Sequence, residues 1–188
     1  RSRSTQALHY FGYLTMKAAN DVSGAVEQAK RSAEMASAMS AAGLYMDLAQ
    51  LQQRHGDHKG AWEALVSGLN ARPQTAWVNE FAGTIFEWLG AFDEAQSLYG
   101  RSARLKEDRF GPRAALARLK TWRGIYGPVR AEVVDLVSAH PNEGLLHRLL
   151  GIIDVSEGRL EQGLKCLNRA LELMPRDAES LLWRAEVA

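Results

Sequence analysis

Apolar residues recur along most of this chain three and four positions apart rather than on alternate positions, which is the spacing of amphipathic helices. The clearest stretch runs from Gly144 to Asp177. Leu145, Leu146, Leu149, Leu150, Ile152 and Ile153 form one helical pattern, Gly158 breaks it, and Leu160, Leu164, Leu167 and Leu171 mark a second helix that Pro175 ends. Gly151, Gly163 and Ala170 are small at places where one helix must approach another closely. The pattern predicts a helical hairpin. Near the N-terminus it predicts a helix from Gln6 to Ala19 with Leu8, Phe11, Leu14 and Ala18 on one face. A turn follows at Asn20–Ser23 with Ser23 as the cap, then an alanine-rich helix from Gly24 to about Met39. Residues 1–5 are polar and are expected to be disordered or extraneous to the natural chain.

Shifting the hairpin in steps of 34 residues brings matching residues into register. The turn glycine falls at Gly56, Gly90, Gly124 and Gly158. The small residue within the first helix falls at Ala49, Gly83, Ala117, Gly151 and Ala185, and the one opening the second helix at Ala61, Ala95 and Gly163. The terminating proline is Pro73, Pro141 or Pro175. Four copies result, 42–75, 76–109, 110–143 and 144–177, preceded by a degenerate hairpin over 6–41, displaced by about two residues, and followed at 178–188 by the first helix of a further, truncated repeat or cap. Pro112 and Pro128 fall in first turns, where a missing N–H costs nothing. A helix cut at Ala188 would expose its apolar face, so the natural protein is expected to continue or to be covered there.

This resembles the tetratricopeptide (TPR) repeat, whose pattern sets a large residue, Leu-Gly, an aromatic, Ala, a large apolar residue and Pro at fixed places. The departures are definite. Phe86 holds the aromatic place in one copy, but Gln52, Lys120 and Asp154 hold it in the others; Glu107 replaces the proline and Val129 the small residue. The resemblance implies an all-α TPR-type α-solenoid of antiparallel hairpins forming a right-handed superhelix. It implies a concave groove, lined by the first helix of each hairpin, that takes an extended peptide or a helix of a partner. The groove-facing places carried across form three rows: Met46, Glu80, Ala114 and Arg148; Gln50, Thr84, Arg118 and Ile152; and Arg54, Trp88, Trp122 and Ser156. Trp77 lies near the mouth, and Glu87 beside Trp88. Aromatic and arginine side chains grouped in this way are enriched at binding hot spots. Trp88 and Trp122 have a second reading, packing on the next repeat, and Trp62 and Trp183 are expected in the core. The lysine and asparagine clamp by which some TPR domains hold an acidic chaperone tail is absent: Met46, Gln50, Phe81, Gly111 and Ala115 stand in its place.

Composition narrows the partner. A net charge of +1, with the arginines scattered among apolar helix positions, does not give the concentrated basic patch of a nucleic-acid protein. No apolar run reaches the length of a membrane span, about 18 residues, so no direct membrane insertion is expected. Cys166 is the single cysteine, which excludes an internal disulfide; beside Leu164 and Leu167 it reads as a partly buried small side chain rather than a nucleophile. The compartment stays open between cytoplasm and periplasm.

Candidates for chemistry are few. His55 and His58 flank a turn, but zinc needs three or four ligands and no further pair completes the set. Glu80 and Glu87 share a helix face, which a charged groove explains as well as acid–base work does. There is no glycine-rich phosphate loop and no nucleophile elbow. The expectation is therefore a non-enzymatic interaction scaffold or adaptor with no cofactor. Alternatives are the regulatory or substrate-recruiting module of a larger enzyme, such as a transferase, and a bacterial assembly factor for a pilus, secretion or envelope-polysaccharide system. Self-association through the last helix is a further possibility.

Overall fold

The computed structural model describes residues 2–106 and 110–187, the side chains of residues 2–4 and 8 excepted. Among the described residues there are eleven α-helices and no strand: α1 (Ser2–Ala18), α2 (Val22–Glu34), α3 (Ala38–Arg54), α4 (His58–Ala71), α5 (Ala76–Trp88), α6 (Phe92–Leu105), α7 (Phe110–Trp122), α8 (Gly127–Ala139), α9 (Gly144–Ser156), α10 (Leu160–Leu173) and α11 (Ala178–Val187). The chain divides into two compact units, residues 1–108 and 109–188. Glu107 and Arg109 lie outside the described residues.

Each turn inside a hairpin needs a residue in the left-handed region, where a Cβ is costly. Gly56, Gly90, Gly124 and Gly158 supply it at φ of +78°, +80°, +75° and +80°, and Asn20 does so at +60° between α1 and α2. Asparagine is among the few other residues that tolerate this region.

Three boundaries differ from the sequence reading. The first helix starts at Ser2 instead of Gln6, so residues 2–5 are helical. The cap of α2 is Asp21, which accepts from the Gly24 amide at 2.9 Å, and not Ser23. The expected helix from Gly24 to Met39 is two helices, because α2 ends at Glu34 and Ser37 opens α3 by accepting from the Ser40 amide. Alanine spacing alone does not reveal such a break, since alanine favours a helix on both sides of it.

The first unit packs its small residues where the helices cross. Ala42, Ala49, Ala61, Leu65, Ala82 and Ala95 are fully buried. Gly83 leaves room for the Tyr99 ring, which would stand 2.9 Å from any Cβ there. Ser102 closes the α5–α6 hairpin by donating to the Ala76 carbonyl at 2.8 Å. Trp62 sets its ring edge-on to Phe86, 4.6 Å between centroids, yet it is 39% exposed, so it is only partly the core residue expected.

In the second unit, Ala117, Val129, Val133, Leu149, Leu150 and Ile153 form one cluster, and Ala114, Leu136 and Leu146 another. Val129 stands where the other hairpins carry Ala61, Ala95 or Gly163, and α7 and α8 approach one another less closely than the helices of those hairpins do. The physical reason is bulk: a branched side chain at a helix crossing separates the axes.

Asp154, at the aromatic place of the repeat, is 1% exposed and sits between two arginines. Arg130 Nε of α8 and Arg159 Nε each donate to its Oδ1 at 2.6 Å. Gln52, at the same place in the second hairpin, is also buried and donates to Asp57 Oδ2 at 2.8 Å. Buried polar groups need partners: Asp154 has its two arginines, whereas Gln52 satisfies only its amide nitrogen and leaves its Oε1 buried without a hydrogen bond.

Candidate functional site

Two faces carry the residues expected to meet a partner, one in each unit. In the first unit these lie on α3 and α5. Arg54 is exposed, while Gln50, Trp77, Glu80 and Thr84 are half-buried. Trp88 ends α5 with 61% of its surface exposed, so it does not pack into the core. Two residues of the expected set are not available to a ligand. Met46 is 2% exposed, its methyl filling the notch left by Gly68 on α4, so it is core. Glu87 is 9% exposed and accepts from the Tyr99 hydroxyl at 2.9 Å; the same hydroxyl lies 3.2 Å from Thr84 Oγ1. Glu87 therefore orients Tyr99 across the α5–α6 hairpin instead of facing a groove.

In the second unit the expected residues converge. Arg118 and Trp122 on α7, Leu145, Arg148 and Ile152 on α9, and Glu179 on α11 line one small depression of about 10 Å³. The Arg118 guanidinium lies over the Trp122 ring, 4.6 Å from its centroid, a cation–π arrangement that holds both side chains in place. Trp122 is 53% exposed. Arg148 is largely covered: its NH1 donates to Asp177 Oδ1 at 2.6 Å, and its Nε lies 3.3 Å from Glu179 Oε2. Ala114, from the same expected row, is 1% exposed and belongs to the core, while Ser156 is half-buried. Trp183 is half-buried on α11.

Asp177 is the hinge of this arrangement. It accepts from the Ser180 amide at 3.0 Å and from the Ser180 hydroxyl at 2.6 Å, which caps α11. Burial pushes its carboxyl up, but the Ser180 hydrogen bonds and the Arg148 guanidinium outweigh that and hold it below the usual carboxylate range.

Three features escaped the sequence reading. Glu179 joins Leu145 of α9 in the depression because α11 folds back against α9, a tertiary contact with no local signal. A cleft of about 470 Å³ opens between α1 and α3, walled by Gln6, Tyr10, Ser40, Leu44 and Asp47. Its only sequence sign is Gly43, where an added Cβ would meet nothing within 4 Å. A broader, mainly apolar groove of about 750 Å³ runs between α8, α9 and α10 over Val137, Leu150, Leu164 and Cys166. Burial pushes the Cys166 thiol up, away from the reactive range.

No group of three or more His, Cys, Asp or Glu able to hold a metal exists among the described residues, and no helix is long and apolar enough to cross a membrane. His55 and His58 are exposed around their turn.

No protein-family model matches the sequence, and neither does any curated protein. Solved structures do. A tetratricopeptide repeat protein from Parabacteroides merdae is 16% identical and superposes on 98% of this chain and 72% of its own with a TM-score of 0.82. The pilF protein of Pseudomonas aeruginosa is 14% identical over 100% of this chain and 84% of its own, TM-score 0.77. YrrB, described as a TPR protein with an unusual peptide-binding site, is 16% identical over 92% and 88%, TM-score 0.71. Stacked antiparallel hairpins with a left-handed turn residue between their helices, in the company of these structures, make this a repeat protein of the tetratricopeptide fold.

Proposed function

We propose that this protein is an interaction scaffold or adaptor that binds a segment of a partner protein on the faces formed by the first helices of its hairpins. One observation carries the reading. Trp88 and Trp122, 34 residues apart at the same place of successive repeats, are 61% and 53% exposed. Trp and Arg dominate the energetics of protein interfaces, and a large exposed aromatic that repeats with the period of the fold fits a binding surface better than a packing role. Trp77, Glu80 and Thr84 share α5 with the first tryptophan, Gln50 and Arg54 lie on α3, and Arg118 and Arg148 line the depression of the second. The peptide-binding site named for YrrB agrees with a peptide or helix as ligand. The proposed activity is binding, without catalysis or a cofactor.

The test is capture from the source cell by the wild-type chain and by a Trp88→Ala, Trp122→Ala variant side by side. Retained proteins are identified by mass spectrometry. A partner held by the wild type and lost by a fully helical variant supports the reading; equal capture by both contradicts it. A more specific reading, an assembly factor for a bacterial pilus, secretion or envelope system, is compatible with the likeness to pilF. Co-purification of the captured partner with envelope components tests that reading.

A further inference from the structure

We infer that the depression between α7, α9 and α11 receives a carboxylate side chain of the partner set beside a bulky apolar one, and that Glu179 of this chain holds the carboxylate's place until the partner arrives. This rests on the first-helix faces being the partner surface.

The depression is lined by apolar and cationic side chains together. Trp122, Leu145, Leu149 and Ile152 supply the apolar surface, Arg118 and Arg148 the cations. Arg148 is only 17% exposed, so its charge needs an anion in every state of the protein. Two carboxylates meet that need, and they are not equivalent. Asp177 takes NH1 at 2.6 Å and is itself fixed by the amide and hydroxyl of Ser180 as the cap of α11, so it cannot leave without undoing the helix start. Glu179 lies farther away, 3.3 Å from Nε, and its side chain is 37% exposed. A partly exposed, long-reach carboxylate at this longer distance exchanges more readily than Asp177. A partner carboxylate arriving at Arg148 replaces like with like, so the buried guanidinium is never left unpaired. The neighbouring apolar side chain of the partner then covers the exposed half of Trp122.

Glu179 thus acts as a competitor within the chain. It sets a threshold: neutral or basic segments gain nothing at Arg148, and acidic ones must displace it.

The experiment selects binders to the full chain from a displayed library of random twelve-residue peptides. Enriched sequences are resynthesised and titrated against wild type, Glu179→Gln, Trp122→Ala and Trp88→Ala. The inference predicts peptides with Asp or Glu adjacent to Leu, Phe or Trp. It predicts roughly two- to five-fold tighter binding by Glu179→Gln, and weaker binding when the peptide's own acid is replaced by its amide, a change that leaves the protein untouched. Peptides that need Trp122 but carry no acid, or bind Glu179→Gln no better, overturn the inference and leave the surface reading standing. Failure to enrich any peptide, or binding indifferent to both tryptophans, overturns the two together.

Discussion

Gly151 of α9 and Gly163 of α10 meet across their helix crossing with only backbone between them: a Cβ on either residue would stand 3.1 Å from the carbonyl oxygen of the other. The same Cβ on Gly151 would come within 2.7 Å of Leu167 Cγ, and one on Gly163 within 3.0 Å of the Val155 amide nitrogen. Helix axes this close admit no side chain. Gly151→Leu is therefore expected to destabilise the second unit by about 1–3 kcal/mol through overpacking, read as a shift in the urea or thermal midpoint. An unchanged midpoint contradicts this crossing.

Asp154 gives a second prediction. Its carboxylate is buried and bridges Arg130 of α8 to Arg159 at the start of α10. Asp154→Ala removes the shared acceptor and leaves two guanidinium groups facing each other, with an expected cost of about 2–3 kcal/mol. The double variant Asp154→Ala, Arg130→Ala is expected to cost less in total than the sum of the two single changes, because the second change removes a partner that has already lost its bridge. Strict additivity in denaturant titrations counts against the bridge.

The acid limb of stability reports on the capping carboxylates. The Gly60 amide and the Gln52 side chain hold Asp57 below the ordinary range, and Ser180 and Arg148 do the same for Asp177 against the opposing effect of burial. A folded-state pKa below the unfolded value of about 4 means that the contribution is present above that pH and is lost as pH falls through the folded value. Asp177→Asn keeps a capping oxygen but loses the charge. Its stability deficit at pH 7 is expected to shrink steadily in melts taken below about pH 4. A deficit that stays constant to the lowest pH contradicts the assignment.

Cys166 is half-buried, and burial raises its thiol above the ordinary range. Its alkylation by iodoacetamide at pH 8 is expected to be on the order of ten-fold slower than that of a free thiol, because only the thiolate reacts. Urea is expected to restore the free rate. Fast labelling of the native protein contradicts the burial of this side chain.

The sequence made the hairpins legible because their rules are local. The turn positions need φ > 0, which glycine meets at Gly56, Gly90, Gly124 and Gly158, and the crossings need small residues at Ala49, Gly83, Ala117 and Gly151. The site was legible only where a residue's surroundings follow from its own helix. Trp88 and Trp122 are exposed as a surface reading requires. Met46 is not, because Gly68 on the next helix opens a notch for its methyl, and Glu87 is not, because Tyr99 on the next helix donates to it. Arg148 keeps its place in the depression, but the carboxylates paired with it, Asp177 and Glu179, come from α11 and its cap. In each case the deciding group lies on another helix, and no periodicity within one helix encodes it.

The measurement that tests the central claim most directly is oxidative footprinting of the five tryptophans with and without the captured partner, read by mass spectrometry. Partner binding on the first-helix faces predicts strong protection of Trp88 and Trp122 and little change at Trp62, which is already half-covered by Phe86. Full oxidation of Trp88 and Trp122 in a saturated complex would contradict it.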